Sequence, residues 1–204
     1  ATSGGESQWI TSEVSRKDAR MERSLHDCVV VGSGTVLSDD PELAPHGKFK
    51  KKNLLRVIID RKLSLSFDHK VFRDENVFVV CTGLASERNR ARYKKAGFRF
   101  RQFGKDVVNV KSLLKHLGSK NIQSVFVEGG SEVSGLFVDA ASKDASLIDQ
   151  VVYYYAPMLL GGRKATSVVA GEGVSSLKNA ISFSESEFSV SGKDLKFSGK
   201  ANLY

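Results

Sequence analysis

No stretch of the 204-residue chain approaches the ~18 consecutive apolar residues that a membrane-spanning helix needs, so no helical membrane span is expected. The opening, ATSGGESQWIT, lacks the basic-then-apolar order of a secretory signal. It starts abruptly on polar, turn-like residues, and further residues are expected upstream. Cysteine is scarce: Cys28 and Cys81 each sit inside an apolar run, CVVVG and VFVVCT, and read as buried strand thiols. With no CxxC pair and no His/Cys cluster at metal spacing, a structural metal site is not expected. So few thiols accord with a reducing compartment. Paired stacking aromatics, zinc fingers and basic-region heptads are also missing, so no nucleic-acid partner is expected.

Against these absences stands an excess of positive charge, 31 basic residues to 23 acidic, net +8. Such a balance serves nucleic acid, an acidic surface or phosphorylated small molecules. The densest run, Lys48-Phe49-Lys50-Lys51-Lys52, falls between a Pro/Gly segment and LLRVIID, and reads as a solvated loop.

Short β-branched runs alternate with helical patterns. Residues 28–32, 54–60, 77–82, 123–127 and 151–155 read as buried strands bounded by turn residues. Helices are predicted over about 12–25, 86–96, 108–117 and 131–141; Thr11 or Ser12 caps the first, and Gly97 and Gly118 end the second and third. This alternation predicts an α/β fold, with a mixed, mainly parallel sheet covered on both faces. In the tail, 183–190 and 195–199 flank Gly192-Lys193-Asp194 and predict an antiparallel hairpin on the sheet edge. With no repeat or linker, the length suits a single domain over 1–204.

Three segments carry chemistry. In SVFVEGGSEVSGLF (124–137) a strand ends, Glu128-Gly129-Gly130 turns, and a helix opens with unpaired N–H groups, an arrangement suited to a pyrophosphate or simply to a tight turn. Glu128 stands at a strand's carboxyl end, where open α/β sheets bind ligands. In VVVGSGTVLSDDPEL (29–43) a strand runs into a Gly-Ser-Gly-Thr turn. Asp40 before Pro41 is turn chemistry, while Thr35 and Asp39 can offer a hydroxyl and a carboxylate to a cofactor. SQWIT (7–11) holds the single tryptophan, Trp9, which also suits core packing or an interface.

Together these stretches resemble the reductase domain of the bifunctional riboflavin-biosynthesis deaminase/reductase. The motifs are Ser-x-Trp-Ile-Thr, Asp-x-Val-x-Val-Gly-x-Gly-Thr-Val-x-x-Asp-Asp-Pro-x-Leu, Arg-Val-Ile-x-Asp, Val-Glu-Gly-Gly and Ala-Pro-x-Leu-Leu-Gly-Gly, in that order. The resemblance implies a dihydrofolate-reductase-like fold, NADPH as cofactor, and reduction of a phosphorylated ribosylaminopyrimidine to its ribitylamino product. It assigns substrate contacts to Ser7, Arg23, Leu43 and Glu128, the last also catalytic. Cofactor contacts fall to Trp9, Thr35, Asp39 and the phosphate-cradling segment Gly130, Ser131, Glu132, Val133, Ser134, Gly135 and Leu136. It further implies a homodimer, a cytoplasmic location (plastid in a plant or alga) and a zinc deaminase domain fused or paired upstream.

The chain departs from the family pattern in three places. His46 stands where a phosphate-binding arginine is common, so it is carried as a substrate contact of altered character. Arg61 follows Asp60 where a small hydroxyl residue is usual, and is expected to pair with a cofactor phosphate. The family's first strand, with its lysine, belongs before Ala1. Two other readings stay open: an oxidoreductase of the same fold with another substrate, and a non-catalytic dimerisation or regulatory module.

Overall fold

The computed structural model describes residues 2, 4, 6, 8–45, 47–49, 52–163 and 165–202. Helix α1 (Glu13–Leu25) starts where Ser12 Oγ accepts from Ser15 N, with Glu13 in the first turn facing the positive end of the dipole. Five parallel strands follow: β1 (Cys28–Gly32), β2 (Leu55–Ile59), β3 (Val77–Cys81), β4 (Phe100–Gln102) and β5 (Val125–Val127), in spatial order β4-β3-β2-β1-β5. Between them lie α2 (Ser33–Asp39), α3 (Glu87–Lys95) and α4 (Val110–Gly118), and after β5 comes α5 (Ser131–Ala141).

The central strands are almost wholly apolar because each buries both faces; Arg56 in β2 is the exception and pairs with Asp74. Along β1 the side chains alternate between two cores. Val29 and Val31 join Ile58, Val79, Tyr93 and the Phe67/Phe72/Phe98 ring cluster, whereas Cys28 and Val30 join Leu113, Leu117, Val133 and Phe137 beneath α4 and α5. Both cysteines are buried, as expected; burial pushes the Cys28 thiol up to about 12, which makes it inert.

β6 (Gln150–Tyr155), β7 (Phe183–Ser191) and β8 (Asp194–Ala201) form a separate antiparallel sheet in the order β6-β8-β7. The α/β class and the C-terminal hairpin are as expected, but the hairpin pairs with β6 rather than with the edge of the parallel sheet. Valine and tyrosine suit any pleated, half-buried surface, and β6 is indeed only half-buried. Its register opposite β8 sets Tyr153, Tyr155, Leu195, Phe197, Phe188 and Val190 on one face. The other face meets α1. Asp194 accepts from Ser12 N (2.7 Å) and Ser15 Oγ (2.6 Å), while Lys196 Nζ lies 2.8 Å from both Asp18 and Glu22.

A further correction concerns 33–39, expected as a turn and observed as the helix α2. Val36, fully buried, anchors it, and it stops at Asp40 in the left-handed region (φ 40°), whose N–H bonds to Val36 O. Two turns containing Gly34, Thr35 and Val36 have low intrinsic helix propensity, so packing decides the matter. Asp40 accepts from Lys70 N at 2.9 Å and from His69 Nδ1 at 3.3 Å, the structural duty read from its place before Pro41.

Candidate active site

Because the sheet is parallel, β1, β2 and β5 deliver their carboxyl ends to one edge, where a crevice for ligands is expected. Val30 pairs with Val127, and Glu128 N donates to Val30 O (3.0 Å), so Glu128 and the Gly129-Gly130 turn stand beside Gly32 and the start of α2. The glycines allow this closeness. A Cβ on Gly32 would lie 2.8 Å from Val133 Cγ2, and one on Gly129 would lie 2.5 Å from Val133 Cβ. Gly130 differs: a Cβ there would meet only Thr35 Oγ1, at 3.7 Å. It is exposed, and it caps α5 without a side-chain hydrogen bond. The amino end of an eleven-residue helix thus opens onto unfilled space beside the Thr35 hydroxyl.

The segment 130–136 divides by role. Val133 and Leu136 pack into the core under α5, and Gly135 lets the helix approach Ala170, whose O would be 2.2 Å from an added Cβ. Gly130 and Glu132 are exposed and Ser131 and Ser134 half-buried, so these four can meet a ligand at the helix end.

Arg23 reaches Glu128 from the last turn of α1. Its Nη1 lies 3.0 Å from Oε2 and 3.3 Å from Oε1, its Nη2 donates to Ala44 O at 2.9 Å, and its Nε is buried without a partner. The guanidinium is 6% exposed and the Glu128 side chain 36%. Burial pushes the Glu128 carboxyl above the ordinary carboxylate range, and the nearby Arg23 and Arg20 charges only partly offset this. Arg23 was expected to hold substrate; in the structure it holds Glu128 and the carbonyl of Ala44. Burial of a charged residue near a helix end is a tertiary outcome that local sequence does not announce. Leu43 is buried at positive φ (53°), so its side chain belongs to the core.

Trp9 is 68% exposed with the Arg16 guanidinium 4.4 Å from its ring centre, a cation–π contact rather than core packing. Gln8 Nε2 donates to Asp39 Oδ1 (2.7 Å), tying the Trp9 segment to the end of α2. Gln8 carried no motif and went unnoticed in the sequence. Arg61 is exposed just beyond β2, its carbonyl accepting from Thr82 N and Oγ1 at the end of β3. Ser7 and His46 lie outside the described residues. Among the described residues no group of three or more His, Cys, Asp or Glu side chains could hold a metal. Two cavities lie away from Glu128 and Gly130, one between β4 and α4 that reaches the carboxyl end of β4, the other around residues 141–146 and 178–182. The carboxyl edge itself is an open shelf of exposed and half-buried groups.

The family described as RibD C-terminal domain matches residues 1–197. The chain belongs to that family. A RibD riboflavin biosynthesis protein from Bacillus amyloliquefaciens is 33% identical over 198 residues, 96% of this chain and 52% of that protein. A Buchnera aphidicola protein named 5-amino-6-(5-phosphoribosylamino)uracil reductase is 31% identical, covering 77% of this chain and 78% of its own. Among solved structures, the Thermotoga maritima deaminase/reductase superposes with a TM-score of 0.71 at 28% identity over 99% of this chain and 52% of that one. Acinetobacter baumannii RibD reaches 0.79 at 23% identity, a likeness of fold. The chain spans about half the length of the RibD proteins it matches. No helix among the described residues is long and apolar enough to cross a membrane.

Proposed function

We propose that this chain reduces 5-amino-6-(5-phosphoribosylamino)uracil to its ribitylamino product with NADPH, as a step of riboflavin biosynthesis. The observation that carries the reading is the shelf at the carboxyl edge, where the side-chain-free amino end of α5 opens beside the Arg23–Glu128 pair. The residues fit a dinucleotide. The open position at Gly130 leaves room for a pyrophosphate against the α5 N–H groups, the Thr35 hydroxyl adjoins it, and Asp39 at the far end of α2 is bonded to Gln8, the neighbour of Trp9. Arg61 stands free at the neighbouring strand end to meet a 2′-phosphate.

When bound, the nicotinamide supplies the hydride. The protein's task is to orient the opened sugar, exclude water and handle one proton. Glu128 is the residue for that proton. Burial raises its affinity for a proton, which suits Oε1 or Oε2 to deliver or hold one, while Arg23 fixes the carboxyl's direction. An Archaeoglobus fulgidus relative, 28% identical, is named a 2,5-diamino-6-ribosylamino-4(3H)-pyrimidinone 5′-phosphate reductase, which favours the undeaminated pyrimidine as a second candidate.

The exposed apolar face of the second sheet, with Phe188 64% and Val190 80% exposed, supports a homodimer. A deaminase portion, named in the Thermotoga protein, is the natural supplier of substrate. NADPH oxidation followed at 340 nm with each pyrimidine in turn tests the reading; turnover with neither, in a folded sample, contradicts it.

A further inference from the structure

The opposite flank of the sheet carries a second basic pocket. β4 is the outermost strand, three places from β1 and four from β5. Between β4 and α4 is a cavity of about 490 Å3, whose lining includes Arg101, Asn109, Ser112, Lys115 and His116. Arg101 Nη1 lies 3.1 Å from His116 Nδ1. A guanidinium has no lone pair to offer, so His116 accepts at Nδ1, is neutral and carries its proton on Nε2. The imidazole is fixed from behind by Phe78 and Phe103, at ring distances of 5.4 and 5.5 Å. Burial, Arg101 and Lys120 all hold its pKa below the usual histidine value.

Lys115 and His116 alone would be the basic last turn that a helix dipole favours. Arg101 comes from a strand instead: its guanidinium lies 5.7 Å from the Phe103 ring centre and turns toward the basic His116 rather than toward an acid. Among the described residues no carboxylate lies within ion-pair distance of Arg101, Lys115 or Lys120. Asn109 spends its side-chain oxygen capping α4 at Ser112 N, so its amide offers donors. The pocket therefore gathers an arginine fork, an ammonium, an amide and an imidazole, with no acid to neutralise them.

We propose that this pocket binds the phosphate group of a small phosphomonoester, at a site separate from the Glu128–Gly130 crevice. A phosphate dianion matches the arginine fork, compensates Lys115 and Lys120, and makes the protonated form of His116 favourable. Binding therefore draws a proton onto the imidazole. The groups facing His116 are Arg101 from β4, Lys120 beyond α4, and the Phe78 and Phe103 rings.

The test is imidazole NMR on the 15N-labelled chain, with His116 assigned through His116→Gln and ionic strength held constant with chloride. Inorganic phosphate and ribose 5-phosphate are the probes. Both are expected to shift the His116 signals saturably and to raise its pKa. Arg101→Gln should weaken each about tenfold or more while leaving NADPH oxidation unchanged. Should Arg101→Gln fail to fold, Lys115→Met, at an exposed helix position, is expected to weaken binding in the same direction. The proposal is overturned by a response no different from that to chloride, by equal affinity in the variant, or by binding of inorganic phosphate with ribose 5-phosphate excluded.

Discussion

Replacing Arg23 by Met removes the guanidinium that contacts both oxygens of Glu128 and the carbonyl of Ala44. Removing one partner of a fully buried pair costs about 3–5 kcal/mol, because the other charge is left uncompensated. Here the Glu128 side chain keeps 36% of its exposure and can recover some hydration. The expected loss is accordingly about 2 kcal/mol at pH 8, or ~4–8 °C in Tm. The deficit should depend on pH. Without Arg23, burial acts on Glu128 with only the more distant Arg20 charge to oppose it, and the folded pKa rises further above the ordinary 4.5. The folded carboxyl then binds its proton more tightly than the unfolded chain does. That contribution is complete below about 4.5 and is lost as pH rises through the folded pKa, so the variant's deficit should shrink between pH 8 and pH 5. Urea unfolding of wild type, Arg23→Met, Glu128→Gln and the double variant at both pH values measures this directly. A deficit equal at the two pH values, or single-variant losses that simply add, would refute the reasoning.

Gly135→Ala places a Cβ 2.2 Å from Ala170 O and 2.8 Å from Gly171 N, so the 166–173 segment must move off α5. About 1–3 kcal/mol should be lost, with faster proteolysis near residue 170; unchanged cleavage would argue against that contact. Leu113→Ala, at a fully buried position between α4 and the sheet, should cost roughly 2–5 kcal/mol in urea unfolding. Burial alone would raise Asp18 and Asp194, but hydrogen bonds from Lys196 and Tyr154, and from Ser15 and Ser12, outweigh it and hold both below the usual 3.8. Their stabilisation is therefore present above that value and lost as pH falls through the lower folded pKa, so Asp18→Asn/Asp194→Asn should flatten the loss of stability below about pH 4.

The parallel sheet was legible because strands buried on both faces must be largely apolar: β1 and β3 are so throughout, and β2 departs only at Arg56. α5 was legible too, since glycines immediately after a strand mark a helix start that must pack closely. The helix α2 was not: seven residues give too little periodicity, and its anchor is one valine. β6 read as a buried strand for the right composition, yet nothing in VVYYY says which sheet it joins. In the candidate site, position was legible where it follows from a strand end, as with Glu128 and Gly130. It was not where the role depends on a distant partner, as when Arg23 turns inward to Glu128 or Gln8 bonds to Asp39.

The central claim is that the open amino end of α5 receives the cofactor's phosphates, and Gly130→Asp tests it most directly. Gly130 has φ −67° and ψ 178°, which any residue can adopt, and its Cβ would make only an ordinary contact with Thr35. Aspartate is a favoured helix cap, so stability should hold or improve, while its carboxylate occupies and repels the phosphate position. NADPH binding measured by calorimetry should weaken by at least about tenfold with Tm unchanged or higher. An unaltered Kd in the folded variant would contradict the account.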